Sequence, residues 1–201
     1  MPDLFMSFGQ GRSLYLMRGI SGCGKTHRAI RLAAQYDAPI FSADDFFGQG
    51  EEYKKNWSPQ KLFAAHSQCE NKCLEAMKAK KNAIIVDNTN VIFRDFRIYL
   101  DYAVDHGYDV FFVYPDSPWW KEKVYPFLQN KNEQEAMKIA LLLQEKNTHG
   151  VPASTISKIL MRFQNFTCDD YLDSAIQRVN DAKGDNSEVK ARLEKIRSIY
   201  L

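Results

Sequence analysis

The residues with most chemistry in them form one octapeptide, Gly19-Ile20-Ser21-Gly22-Cys23-Gly24-Lys25-Thr26, which fits G-x-x-x-x-G-K-T. Each type has a reason to be there if the ligand is a chain of phosphates. The glycines let the backbone turn its N–H groups, those of Ser21 and Cys23 included, inward around phosphate oxygens. Lys25 is long enough to reach the β- and γ-phosphates, and the Thr26 hydroxyl suits Mg²⁺. Cys23 occupies a permissive position and is assigned no redox role. The expected ligands are therefore ATP and Mg²⁺. Further along, Asp44, Asp45 and Asp87 each follow a short apolar run, and an acid there could act on a bound phosphate or its metal.

These residues serve one site only if regular elements bring them together. Residues 13–18 are a short, mostly apolar run ending at glycine, read as the first strand. Residues 25–36 place Ile30, Ala33 and Ala34 on one face, as an amphipathic helix would. The start of that helix adds positive potential beside the phosphates. Residues 39–42 make a second brief strand, and the polar, glycine-containing stretch 48–57 reads as a loop. Ser58-Pro59 opens the next helix, serine suiting the N-cap and proline the first turn. Leu62, Cys69, Cys73 and Met77 then recur near helical spacing as far as Lys81.

Residues 83–87 are a continuous apolar run stopped by Asp87, the mark of a central parallel strand buried on both faces. Phe93, Phe96, Leu100 and Val104 define a third helix stopping near His106-Gly107, and residues 110–114 a fourth strand. Beyond Pro118 the pattern turns helical. Residues 121–146 are mixed in charge and expected to be mobile, residues 154–163 and 188–200 read as helices, and 181–186 is the only linker-like stretch. Strands alternating with helices give an α/β fold, a parallel sheet with helices on both faces.

The chain has 201 residues, 45% hydrophobic, and a net charge of +2. One sizeable core is affordable at this length. So small a charge does not announce a polyanion binder, and such recognition would need a local patch. The four cysteines show neither C-x-x-C pairing nor metal-finger spacing, which points to a reduced intracellular protein without structural disulfides. Cys69 and Cys73, one helical turn apart, read as small apolar core residues. No signal-like start and no apolar stretch of ~18 residues is present. The expectation is a cytoplasmic or nuclear protein with no membrane partner.

A phosphate loop alone does not separate kinases from GTPases or motors. No N-K-x-D guanine-reading motif occurs in the sequence, which weighs against a GTPase. Ligands of such sheets gather at the carboxyl ends of the strands, where Asp44, Asp45 and Asp87 all fall. Adjacent residues of an extended chain point to opposite sides. One of Asp44 and Asp45 should therefore face the nucleotide, while the other caps the next turn or meets solvent.

Beyond the loop, the blocks Ser42-Ala43-Asp44-Asp45-Phe46-Phe47, Ala65-His66, Ile84-Ile85-Val86-Asp87-Asn88-Thr89-Asn90 and Asn147-Thr148-His149-Gly150-Val151-Pro152 stand in that order. With it, they make residues 13–165 resemble the polynucleotide-kinase-like branch of P-loop kinases. The resemblance implies a P-loop NTPase fold with a five-stranded parallel sheet, the third strand beside the first and the second beyond it, and a helical lid. It implies a single kinase domain over residues 1–201, with a core at about 13–118, a lid and following helices at about 119–165, and a helical extension at about 166–201. At ~4.8 Å per strand, Asp87 would lie next to the loop and Asp44 about 10 Å across. By family correspondence Asp44 is the general base, with Lys25 as its catalytic partner on the phosphates, and Asp87 supports Mg²⁺ beside Thr26 or holds acceptor-side groups. Lys146 and Arg162 are the lid cations that either close over the phosphates or remain solvated.

The implied activity is transfer of the γ-phosphate of ATP to a hydroxyl, with a polynucleotide 5′-OH end favoured. A small-molecule or nucleotide-sugar kinase, or an ATP-binding interaction module, are the alternatives. Phe47 stands where the phage enzyme carries an arginine for the acceptor's 3′-phosphate, which puts that contact in doubt. Phe46, Phe47, Tyr53 and Trp57 either stack bases or belong to the core. His66 and His149 have structural or catalytic roles open to them, and residues 121–146 offer a surface to a protein partner.

Overall fold

The computed structural model describes residues 4–7, 11–181 and 187–200. In chain order the elements are β1 (Leu4–Met6), β2 (Arg12–Met17), α1 (Lys25–Tyr36), β3 (Ile40–Phe41), a 3-10 turn (Ala43–Phe47) and α2 (Glu51–Asn56). A second 3-10 turn (Pro59–Lys61) runs into α3 (Leu62–Lys78), followed by β4 (Ala83–Val86), α4 (Phe93–His106) and β5 (Tyr108–Val113). A π turn (Trp120–Val124), α5 (Tyr125–Gln129), α6 (Glu133–Lys146), α7 (Ala153–Arg162), α8 (Cys168–Asp181) and α9 (Ser187–Tyr200) complete the chain.

The sheet order is β1-β5-β2-β4-β3. β2 pairs in parallel with β4 and β5, and β4 with β3, so the order around the loop strand is the one the resemblance implies. The fifth strand corrects an expectation: β1 runs antiparallel to β5, Leu4 facing Phe112, and the sheet is mixed rather than wholly parallel. A strand of three residues at an edge carries almost no local signal; its partner lies a hundred residues away.

Alternation along β2 divides the core. Leu14 and Leu16 face a large cluster with α3, α4, α6, α7 and α8, while Tyr15 and Met17 face a small one beneath α1. All of β4 is buried, as the centre of such a sheet must be. Cys69, Cys73 and Met77 line the inner face of α3 with Ala65. On α1 the expected stripe is displaced: Ala29 is the buried residue and Ile30 is exposed. Gly107 ends α4 at φ 69°, the left-handed stop that glycine permits.

One stretch read as a loop is helical, and one expected to be mobile is packed. Residues 48–57 hold α2, whose glutamates stand in the first turn and lysines in the last, matching the helix dipole. Residues 121–146 are not a solvated tether: Val124, Phe127, Leu128, Ile139 and Leu143 are all buried, leaving Met137 and Leu141 outward. Within the linker-like stretch, residues 182–186 lie outside the described part. Among the described residues no helix is long and apolar enough to cross a membrane.

Candidate functional site

The loop emerges from buried β2 and is anchored from beneath by Arg18. This side chain is fully buried, and its guanidinium donates to the carbonyls of Asn90, Val91 and Gln164 and to the Tyr114 hydroxyl. It lies over the Phe96 and Phe163 rings at 4.7 and 4.8 Å. Burial pulls its pKa down, partly offset by Tyr114, and a guanidinium stays charged regardless. The Gly19 N–H donates to the Thr89 carbonyl, and Asn90 Nδ2 donates to the Met17 carbonyl. The D-N-T-N block thus holds the loop's entry from the neighbouring strand.

The far side of the loop is braced by residues that no motif announced. Ser117 Oγ donates to the Cys23 carbonyl at 2.9 Å, and Trp119 Nε1 to the Gly22 carbonyl at 3.0 Å. These two bonds hold the outer side of the loop, and within it the Cys23 N–H, expected to face phosphate, donates instead to the Ile20 carbonyl at 3.2 Å. Gly22 has φ 81°, and a Cβ there would overlap the Leu143 carbonyl at the end of α6. Glycine is required twice over, by conformation and by the end of α6 pressed against it. Ser21 is half-buried in the turn, and Gly24, at φ 93°, starts α1. Cys23 is fully buried, and burial pushes its thiol up, so it packs as a protonated side chain.

Lys25 Nζ donates to the Ile20 carbonyl at 3.2 Å, folded over the loop. Thr26 Oγ1 donates to Asp87 Oδ2 at 2.6 Å. Asp87 is buried at 8% exposure, and its other oxygen, Oδ1, has no hydrogen-bond partner. Burial pushes this carboxyl up, while Lys25 and Thr26 pull it back and Asp44 and Asp45 add to the rise. A buried, unpartnered carboxylate oxygen beside a hydroxyl is costly by itself and is the donor chemistry Mg²⁺ takes from a protein when phosphates and waters supply the rest. Thr26 and Asp87 therefore fit the ion.

After β3 the expected extended pair is a 3-10 turn. Ser42 caps it through Oγ to the Asp44 N–H, and Asp45 closes a capping box onto the Ser42 N–H. One of the pair caps, through a helical turn rather than strand alternation: the cap is Asp45, and Asp44 is the other acid. Tyr53 Oη donates to Asp44 Oδ1 at 3.0 Å, and His149 Nε2 lies 3.6 Å from Oδ2. Asn88 fixes the turn's position, accepting from the Ala43 N–H at 2.9 Å while its amide reaches Cys69 and Tyr99.

The remaining expected residues separate. Lys146 sits 4.4 Å over the Trp119 ring, beside the loop through that indole. Arg162 lines a cleft with Phe93, Lys131, Gln164 and Asp170, none of them a loop residue, so the structure does not bring it to the phosphates. Phe47 and Tyr53 belong to the core, whereas Phe46 and Trp57 are 36% and 44% exposed. His66 is exposed on α3, near Glu70.

This fold and loop define a P-loop nucleotide-binding domain of the kinase-like kind. Residues 14–164 match the AAA domain family, and the chain belongs to it; it is a polynucleotide-kinase-like P-loop protein. Human NEDD4-binding protein 2 is 33% identical over 159 residues, which cover 78% of this chain and 8% of that protein. A chain of the solved Pnkp1/Rnl/Hen1 RNA repair complex shares the fold, with TM-score 0.52 and 20% identity over 78% of this chain and 45% of that one. The chain thus spans a small part of the first relative and under half of the second.

Proposed function

We propose that this domain transfers the γ-phosphate of ATP to a hydroxyl acceptor, a polynucleotide 5′-OH end. The observation that carries the reading is the placing of Asp44. It is a half-exposed carboxylate on the same sheet edge as Lys25, Thr26 and Asp87, hydrogen-bonded at Oδ1 and facing His149 Nε2 across 3.6 Å at Oδ2.

The loop N–H groups that the fold does not itself use, with Lys25, hold the triphosphate and orient its γ-phosphorus. The acceptor hydroxyl lies against Asp44 Oδ2. Its oxygen forms the new P–O bond as the bond from the γ-phosphorus to the β,γ-bridging oxygen breaks. ADP leaves with that electron pair, and the hydroxyl proton passes late to Asp44. Mg²⁺, held by Thr26 and Asp87, would neutralise charge on the phosphates. Lys146, resting on Trp119, is the nearer lid cation for that role. Exposed Phe46 and Trp57 supply stacking faces for bases. The family and the fold of the RNA repair chain support the nucleic-acid acceptor. The name of the human relative supports a second role, a protein contact through the outer face of α6, where Met137 and Leu141 are exposed.

The test is transfer from γ-labelled ATP and Mg²⁺ to 5′-OH RNA and DNA oligonucleotides and to a panel of small hydroxyl metabolites. Asp44→Asn should retain ATP binding and lose about 10²-fold or more in turnover. Label found on metabolites alone would sink the polynucleotide reading.

A further inference from the structure

We infer that Tyr53 is the positioning residue for Asp44, and that His149, seated on the Tyr53 ring, joins the lid to that carboxylate. The inference rests on Asp44 being the acceptor base. It starts from an oddity of α2. This helix has six residues and buries one side chain, Tyr53, so it adds little to the core except a fixed phenol. The ring is wedged against Phe47 at 5.5 Å and is 7% exposed. Its hydroxyl meets Asp44 Oδ1 at 3.0 Å. Burial, reinforced by the Asp44 charge, pushes the phenol up, so it remains a donor throughout the neutral range.

Asp44 itself is half-exposed, and an exposed carboxylate left alone samples several rotamers. The phenol selects one by holding Oδ1, and Oδ2 is turned toward His149. Facing Oδ2, His149 Nε2 stands at 3.6 Å, too far for a direct hydrogen bond and close enough for one acceptor oxygen to touch both. The imidazole centroid lies 4.3 Å from that of Tyr53. The same ring that orients the carboxylate thus receives the lid. Lid placement and base orientation share one side chain on α2.

Tyr53→Phe keeps the ring, with its Phe47 and His149 contacts, and deletes only the bond to Oδ1. In single-turnover transfer, kcat should fall about 10-fold with the KM for ATP unchanged, the scale of a hydrogen bond to a charged group. In an Asp44→Asn background the same substitution should have no further effect, because Tyr53 acts through that carboxylate. His149→Ala, a change in a partly exposed lid residue, should lower kcat and raise the KM for the acceptor without moving the KM for ATP. Full kcat in Tyr53→Phe, or an equal loss in both backgrounds, overturns the positioning role and leaves the transferase reading intact. Should Tyr53→Phe not fold, His149→Ala decides: a rise in the KM for ATP alone overturns the inference. No transfer by the unmodified protein to any hydroxyl overturns both.

Discussion

Asp87→Asn should make this protein more stable and less active at once. In the folded chain the carboxylate is almost wholly buried, and Oδ1 has no partner. The substitution keeps the shape and lets the amide oxygen accept from Thr26. It also removes the charge whose burial pushes the carboxyl up. The amide nitrogen then stands unpartnered where Oδ1 stood, so the gain is only the difference between burying a charged unsatisfied group and a neutral one, which itself costs about 1–3 kcal/mol. Against that gain stands the loss of the charge-assisted Thr26 bond and of the attraction to Lys25. The balance is a stabilisation of about 1 kcal/mol, or about 2–4 °C in Tm for a chain of this size. The pH dependence has a fixed sign. With the folded pKa above the unfolded one, the native state binds more protons between the two values, so the unmodified protein loses stability as pH rises through that window. The variant lacks this slope. Thermal unfolding in chelator from pH 4 to 8, repeated at neutral pH with Mg²⁺ and ATP, measures both parts. With ligand the order should reverse, because the unmodified protein binds more tightly and gains more. An Asp87→Asn protein that melts lower than its parent in chelator, with the same pH slope, would refute the account.

Trp119→Phe removes the donor to the Gly22 carbonyl and should raise the Kd for ATP about fivefold, the effect of about 1 kcal/mol, by calorimetry. Gly22→Ala places a Cβ at positive φ, costing about 1–2 kcal/mol, and drives the end of α6 away. ATP affinity should fall about tenfold or more, with faster hydrogen exchange in α6. Arg18→Met leaves the buried carbonyls of Asn90 and Val91 without their charged donor and should cost about 3 kcal/mol, lowering Tm by about 6–12 °C.

The phosphate loop, the strand before it and the helix after it were legible because each is written in contiguous residues. So was β4, whose unbroken apolar run fits only the middle of a sheet. β1 and α2 were not, since three or six residues make too short a window for periodicity. That one of Asp44 and Asp45 caps was legible, yet its cause was not: the Ser42–Asp45 capping box, whose spacing was visible as S-x-x-D, bends the chain before strand alternation can apply. Ser117 and Trp119 reach the loop across more than ninety residues, and no local pattern carries such a contact. Arg18 did leave a trace, a cation closing a buried strand directly before the first glycine. Tyr53 was legible only as an aromatic for stacking or for the core, and nothing in the sequence tied its hydroxyl to Asp44.

The burial of Arg18 bears on how the protein should behave in salt. A surface lysine attracts phosphate through a field that counter-ions screen within about 8 Å at physiological ionic strength. Arg18 is closed off from solvent, one residue before the loop, and its hydrogen-bond partners are neutral carbonyls and a hydroxyl. Mobile ions cannot approach this charge, which stays part of the fold's own dielectric interior. Part of the positive potential under the triphosphate is therefore permanent, and the grip on a nucleotide should weaken less with added salt than the pull on any strand reaching the exposed lysines outside.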